Sequence, residues 1–470
     1  MNAARDVERE DLLNFMSSCF VATGQDEFYS EAEAQTVSLD FLHHYTVANY
    51  RPFYTRMLAT SINDFNKGLI IANLLARPQF MASDKAIEGR LIAHALDAMP
   101  PPQAYRALYR LIQRRVNNRR TRAIMRDYLT SRPDPQFHTL KYRRFVRAIA
   151  EHAHLKLDAE SQQILFRGHR RWNRFDTPIF ESYRRAHYEA RAILDLPLSV
   201  AEGLAERLGY SRERLLTQFK DTMTVREKQR LQRSAQRSGL DFSDAMMAMS
   251  LTRLASYVAG LLDAERDGAR EKIPLAFQSA AKRAARRMAQ RYGRVALVLD
   301  RSRSARSSVA KANRPLAIAV GTVALMHEIA DDVAIHWTPA YIGAPWDIAA
   351  AGPTDLATPL LNALATEPDH VVIVSDGFEN APSGGVAEVV RIWRQKLFGH
   401  RKTTLTHINP VFNPQTYAVR SLSPHIPAFG VRNVDDVPLA MLMARFQAGA
   451  FDLRQLLQFL DVQARTALSD

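Results

Sequence analysis

Asp300, Ser302 and Ser304 stand on alternate positions directly after an unbroken apolar run from Val295 to Leu299. One carboxylate and two hydroxyls are hard oxygen donors, the kind a small divalent cation prefers. Two later stretches carry oxygens of the same type. In Gly352, Pro353, Thr354 and Asp355 a threonine hydroxyl sits in a tight loop ahead of a helix-like run, and a second apolar run over 370–374 leads into Ser375 and Asp376. No Cys/His zinc spacing and no Gly-rich phosphate loop accompanies them. His152, His154, His169 and His187 have no acid or nucleophile at a diagnostic spacing, and His336 follows an apolar strand pattern that suits packing. The expectation is cation binding, no catalytic residue, and a protein that is not an enzyme.

Such donors need a rigid edge to hold them. The run over 295–299 reads as a strand buried on both faces, the type found in parallel sheets. From there strands and helices alternate: a helix over 314–329, a strand over 333–337, a helix over 356–365, a strand over 370–375, a helix over 385–397 and a strand over 403–408. A loop rich in Pro and Asn, the short run 426–430 and helices over 437–446 and 451–462 complete the chain. This order predicts an α/β doubly wound domain whose ligands bind at the C-terminal strand edge, where Asp300 and Asp376 stand.

Three oxygen-bearing loops in this order resemble the metal-ion-dependent adhesion site of von Willebrand factor A domains. The resemblance implies that Ser302, Ser304 and Thr354 ligate Mg2+ or Mn2+ directly. Asp300 and Asp376 would act directly or through water, and one position would stay open for an acidic residue of a protein partner. The sequence departs from the family at Arg303, which stands between the serines where a small residue is frequent, with Arg301 and Arg306 beside it. Guanidinium groups repel a cation unless they point away or pair with carboxylates. Turned outward, they make the mouth attractive to an anion.

A chain of 470 residues suggests two or three domains. No run of ~18 apolar residues is present, which argues against a membrane span. The N-terminus carries acids early and has no apolar signal-peptide core, and the single cysteine, Cys19, reads as a small buried apolar residue. These features predict a cytoplasmic protein with no membrane partner. The net charge of +14 is uneven: residues 1–290 hold 46 Lys+Arg against 33 Asp+Glu. Apart from a polar loop or small hairpin read over 21–38, most of that stretch has helical spacing, with breaks at Pro78 and at Pro100–Pro102, and stacked helical pairs fit it best.

The densest basic window is 101–150, with 13 Lys+Arg against 2 Asp+Glu. A helix read over 104–129 carries Arg114, Arg115, Arg119, Arg120 and Arg122, and another carries Lys141, Arg143, Arg144 and Arg147. Two further clusters are His169, Arg170, Arg171, Trp172 and Arg174, then Arg184, Arg185 and His187. Arginine suits bidentate phosphate contacts and stacks on bases, and aromatic residues interleave with it here. RNA is the expected partner of these residues.

A basic all-helical region fused to an A-type domain resembles the Ro ribonucleoprotein family, whose helical part is the TROVE module. The stretch 352–360, the strand ending in Asp376 with Glu379 soon after, Gly384–Gly385, and the early segment Gly24 to Tyr29 carry the likeness. It implies a TROVE-like helical-repeat region over 1–289, possible as a ring, and a von Willebrand factor A-like domain with a helical tail over 290–470. It further implies binding of small noncoding RNA or single-stranded RNA ends, in RNA quality control or processing. The alternative is a protein–protein adaptor, partner of an AAA+ ATPase or of a defence system, without specific RNA binding.

Overall fold

The computed structural model describes residues 2–22, 32–77, 82–168, 174–237, 243–261, 263–286, 291–306, 313–397, 403–413, 418–447, 449 and 452–469. A mostly helical region is followed by a parallel sheet with helices on both faces. The sheet runs β1 (Tyr292–Asp300), β2 (Ala330–Thr338), β3 (His370–Val374), β4 (Thr404–Asn409) and, after a small antiparallel pair β5 (Phe412–Asn413) and β6 (Ala418–Val419), β7 (Ala428–Gly430). The order is β2-β1-β3-β4-β7 and every pairing is parallel. Ala296, Val298, Val371 and Ile373 point to one face, against Leu360 and Ala363 of helix Ala357–Ala365 and Val386 and Val390 of helix Gly385–Ile392. Their alternate neighbours Val295, Leu297, Val372 and Val374 face the other way, toward helices Arg314–Ile329 and Val437–Gln447. Burial on both faces is why these strands read as continuous apolar runs.

The chain forms two compact units. One, here the sheet unit, joins Met1–Asn66 to Met246–Gln463; the other, the helical unit, is Lys67–Ala245 with Ala464–Asp470. This grouping differs from a division at 289/290, because the N-terminal helices close the β7 edge of the sheet. Helix α1 (Asn2–Val21) lies on β6 and β7. A Cβ at Gly430 would sit 2.6 Å from the Ser17 carbonyl oxygen, so only glycine allows this approach. The Phe20 and Phe429 rings meet at 5.7 Å. Helix α2 (Ala32–Asn49) and helix α3 (Arg51–Arg56) follow. The Asn63 amide donates to the carbonyls of Cys19 and Ala22, both at 2.8 Å. His43 bridges the Tyr54 hydroxyl at 2.8 Å and the Asn66 amide oxygen at 2.9 Å. Cys19 is buried in this packing. The loop expected over 21–38 is helical from Ala32 onward, while the TROVE-like segment Gly24 to Tyr29 lies outside the described residues.

The helical unit stacks amphipathic helices: α4 (Asp64–Ala76, shared with the sheet unit), α5 (Ala82–Ala98), α6 (Pro101–Gln113), α7 (Arg119–Thr130), α8 (Pro135–Lys141) and α9 (Arg143–Ala153). In α9, Val146, Ile149, Ala150 and Ala153 are buried while Arg143, Arg144 and Arg147 face out, the spacing of one apolar stripe. The single helix expected over 104–129 is two helices. Arg115 adopts a left-handed conformation (φ 55°), and the Asn118 side chain then accepts from the Thr121 N–H to start α7. Among the described residues no helix is long and apolar enough to cross a membrane.

One buried acid makes stability depend on pH. Burial pushes the Asp436 carboxyl from its ordinary 3.8 up to about 7, against a hydrogen bond from Ser61. The folded chain therefore holds this proton more tightly than the unfolded chain, and the contribution is lost as pH rises from about 4 through 7. Asp436→Asn removes that loss. The gain in unfolding temperature of the variant over the parent should grow from pH 4.5 to 7 and level off above it. A gain that is the same at every pH contradicts the assignment.

Candidate functional site

Two places gather the residues singled out by sequence, one in each unit. In the sheet unit, β1 and β3 are hydrogen-bonded neighbours with Leu299 opposite Val374. Their continuations bring Asp300 and Asp376 side by side at the C-terminal edge, 3% and 2% exposed. Each carboxylate is held the same way. Asp300 Oδ1 accepts from the Ser302 N–H at 2.7 Å, and Asp376 Oδ1 accepts from the Phe378 N–H at 3.0 Å. In both, Oδ2 is buried and has no partner. Burial and the facing Asp376 push the Asp300 carboxyl up to about 7, and burial raises Asp376 as well.

The hydroxyls surround these oxygens. Ser302 and Ser304 Oγ lie 3.0 Å apart. Thr354 is buried, and its loop is tied to the Asp376 loop by Asn380. The Asn380 side chain accepts from the Thr354 N–H at 2.9 Å, and its N–H donates to the Thr354 carbonyl at 3.2 Å. Gly352 is left-handed (φ 71°), and a Cβ there would meet Pro339 at 2.7 Å, so the turn that presents Thr354 requires glycine. The Arg303 N–H donates to the Gly352 carbonyl at 3.2 Å and completes the stitching. Ser302, Ser304, Thr354 and Arg303 line an open cleft of about 460 Å³, and the buried Asp300 and Asp376 are not part of its lining.

The arginines divide. Arg301 turns away: it donates to the carbonyls of Ala349 at 3.0 Å and Ala340 at 3.3 Å and lies over the Tyr341 ring. Arg303 is exposed and lines the cleft, and Arg306 is exposed. Arg420, which the sequence did not suggest, stacks on the Phe378 ring at 3.8 Å. Among the described residues no group of three or more His, Cys, Asp or Glu could hold a metal. The donor set is three hydroxyls with two carboxylates. Two unpartnered carboxylate oxygens beside three hydroxyls fit a hard cation such as Mg2+ or Mn2+, not zinc.

In the helical unit the first turn of α7 and the chain after α9 face each other across a cleft of about 950 Å³. Arg119 and Arg122 form one wall with Arg126; His154 and Lys156 form the other. The floor is Tyr105 and His138, joined at 3.0 Å between the hydroxyl and Nδ1. Burial keeps the histidine neutral by lowering its proton affinity and keeps the tyrosine protonated. Arg126 belongs to the run of arginines expected on this helix, whereas His154 and Lys156 were missing from the expected set.

Many of the expected RNA contacts are engaged within the protein. Arg120 pairs with Glu88 at 2.9 Å, and that carboxylate is 2% exposed. Arg114 donates to Asn73 at 2.7 Å, Lys141 to the Ser199 carbonyl, and Arg143 to the Tyr183 hydroxyl at 2.5 Å. Arg184 pairs with Glu181 at 2.6 Å, Arg185 with Glu189 at 2.9 Å, and Arg147 with Glu151 at 3.1 Å. His187 Nδ1 bonds the Tyr183 carbonyl at 2.8 Å. Arg144 lies over Tyr109, and Arg115 and Arg174 are exposed. His169, Arg170, Arg171 and Trp172 lie outside the described residues.

No family model and no curated protein matches the sequence. Among solved structures, the chain is similar to the RO (RSR) protein of Deinococcus radiodurans, with a TM-score of 0.57 and 15% identity over 93% of this chain and 100% of that one. The likeness shows a Ro-like fold.

Two measurements follow from the geometry. Calorimetric titration of the metal-free chain with Mg2+ or Mn2+ should give one site, weakened about tenfold or more by Ser302→Ala or Thr354→Ala; no heat from the parent protein removes the site. Arg120→Ala breaks the ion pair of the buried Glu88 carboxylate and should cost about 3–5 kcal/mol in denaturant unfolding. Arg119→Ala should stay within about 0.5 kcal/mol. Equal effects would place the two arginines in the same environment.

Proposed function

We propose that this protein is an RNA-binding ribonucleoprotein component, similar in role to Ro proteins, and not an enzyme. It binds small noncoding RNA or single-stranded RNA, acts in the cytoplasm in RNA quality control or processing, and carries a separate metal-dependent site for a protein partner. The observation that carries the RNA reading is the first turn of α7. It holds Arg119, Arg120 and Arg122 and no acid. Cations are disfavoured at a helix N-terminus, where the dipole already presents positive charge. Arg120 is paired with Glu88. Arg119 and Arg122 are exposed, make no ion pair among the described residues, and face Lys156 across the cleft. A polyanion passing between them offsets the cost. The Ro-like fold is consistent with this reading.

The second reading, an adaptor, draws on the sheet unit. Ser302, Ser304 and Thr354 would hold Mg2+ or Mn2+, with Asp300 and Asp376 directly or through water. A bound cation would supply an open position for a partner's carboxylate. Exposed Arg303 and Arg306 favour an acidic partner around it.

The test is fluorescence anisotropy with a single-stranded RNA at several salt concentrations. Affinity should fall steeply with salt, and the double variant Arg119→Glu/Arg122→Glu should bind about tenfold or more weakly with a shallower slope. Arg185→Glu, at a residue already paired, should change little. RNA binding that ignores the double variant moves the interface elsewhere. A nucleic-acid-free protein that captures an ATPase only with Mg2+ present selects the adaptor.

A further inference from the structure

The sheet unit holds a second cavity, at the N-terminal edge of β1 and β3 and so at the end opposite Asp300. Its volume is about 520 Å³, within the range of small-molecule sites. One face of helix Val437–Gln447 forms a wall through Leu439, Leu442 and Arg445, with Phe459 beside it. The cavity has two unlike ends. At one, Asp436 is 1% exposed; its Oδ1 accepts a short hydrogen bond from the Ser61 hydroxyl, and its Oδ2 has no partner. A buried carboxylate oxygen without a donor is rare and points to a group missing from the chain. At the other end stand Tyr292, His370 and Arg445. The Tyr292 and His370 rings meet edge to face at 5.4 Å, and the positive charge of Arg445 acts on both. Arg445 is exposed and makes no ion pair among the described residues. Nine helical steps separate Asp436 from Arg445, roughly 13 Å along the axis.

The site therefore asks for an elongated ligand with a hydrogen-bond-donating edge at one end, an anion at the other and a planar body between. We propose that this cavity binds a purine nucleoside monophosphate. The amino edge of the base donates to Asp436 Oδ2, the ring lies among Leu439, Leu442 and Phe459, and the phosphate sits on Arg445 with the Tyr292 hydroxyl. An acidic side chain reads a donor edge, arginine matches a phosphate in bidentate fashion, and aromatic walls take a base face. Nothing in this assignment rests on the RNA cleft, which belongs to the other unit.

The experiment is isothermal titration of the full chain with 5′-GMP, 5′-AMP, 5′-UMP and inorganic phosphate. At least one purine nucleotide should bind with unit stoichiometry, and UMP and phosphate about tenfold or more weakly. Arg445→Ala and Asp436→Asn should each weaken the purine nucleotide about tenfold or more. Asparagine keeps an acceptor for Ser61, so the fold is retained, as circular dichroism would show. Leu439→Trp, which fills the cavity and removes no polar group, should abolish binding, whereas Arg119→Glu/Arg122→Glu should leave it unchanged. The proposal is overturned by a parent protein that binds neither purine nucleotide, by UMP binding equally well, or by binding that survives Arg445→Ala and Asp436→Asn.

Discussion

Two carboxylates held side by side out of water are the constraint around which the sheet unit is arranged. Parallel pairing of β1 and β3 forces Asp300 and Asp376 together, and burial removes the solvent that would separate their charges. Two like charges at such a place are costly unless one stays protonated or a cation lies between them. Among the described residues no basic side chain forms an ion pair with either carboxylate, and the charge of Arg420 offsets the burial of Asp376 only in part. Arg301, the arginine nearest in sequence, is tied to carbonyls of another loop and to Tyr341. Each aspartate instead receives one backbone N–H on one oxygen and leaves the other bare. Glycine at 352 and the Asn380 bonds then bring Thr354 to the same rim.

The other end of the sheet solves a different problem. A parallel sheet exposes its edge strand, and β7 is short and pairs only with β4. An unpaired edge is a template for unwanted association. Helix α1 covers it by coming so close that Gly430 has no room for a side chain. The Asn63 and Asn66 amides then cap the last carbonyls of α1 at Cys19 and Ala22. Without them the Ala22 carbonyl would be buried with no donor, a cost of about 1–3 kcal/mol, and the Cys19 carbonyl would keep only the Asn63 backbone N–H. The packing of the first 66 residues with the sheet follows from this satisfied polar seam as much as from apolar burial.

Much of this was legible in the sequence because the relevant signals are local. The unbroken run Val295 to Leu299 announces a doubly covered strand, and the spacing of Asp300, Ser302 and Ser304 announces oxygens on one edge. Helical periodicity over 314–329 and 437–446 gave element boundaries within a few residues of those observed. What escaped is non-local. No local pattern tells that α1 seats on β7, because the deciding residues, Ser17 and Gly430, lie far apart in the chain. The break at Arg115 escaped for a related reason. Arginine and asparagine fit a helix interior by propensity, and only the Asn118 cap and the left-handed turn reveal two helices. Charge was read as a count, whereas pairing is decided in three dimensions by partners such as Glu88.

That last point changes what a strongly basic composition means. Residues 1–290 carry nearly all of the excess charge, yet Arg120, Arg184, Arg185 and Arg147 each face an acid, and Arg114, Lys141 and Arg143 are spent on neutral oxygens. An arginine engaged in a buried or bidentate pair must break it before it can hold a phosphate, and the energy gained from the new contact is largely returned. Composition therefore overstates the surface available to a polyanion. The groups that matter are those whose local environment disfavours them. Arg119 and Arg122 are such a pair, placed by the Asn118 cap at the wrong end of a helix dipole in a turn that carries no acid of its own and whose one ion pair among the described residues goes to Arg120. A cost left standing in the free protein is recovered on binding an anion, so the least stabilised cations within a basic stretch, and not the stretch as a whole, mark where contact with a polyanion gives the largest net gain.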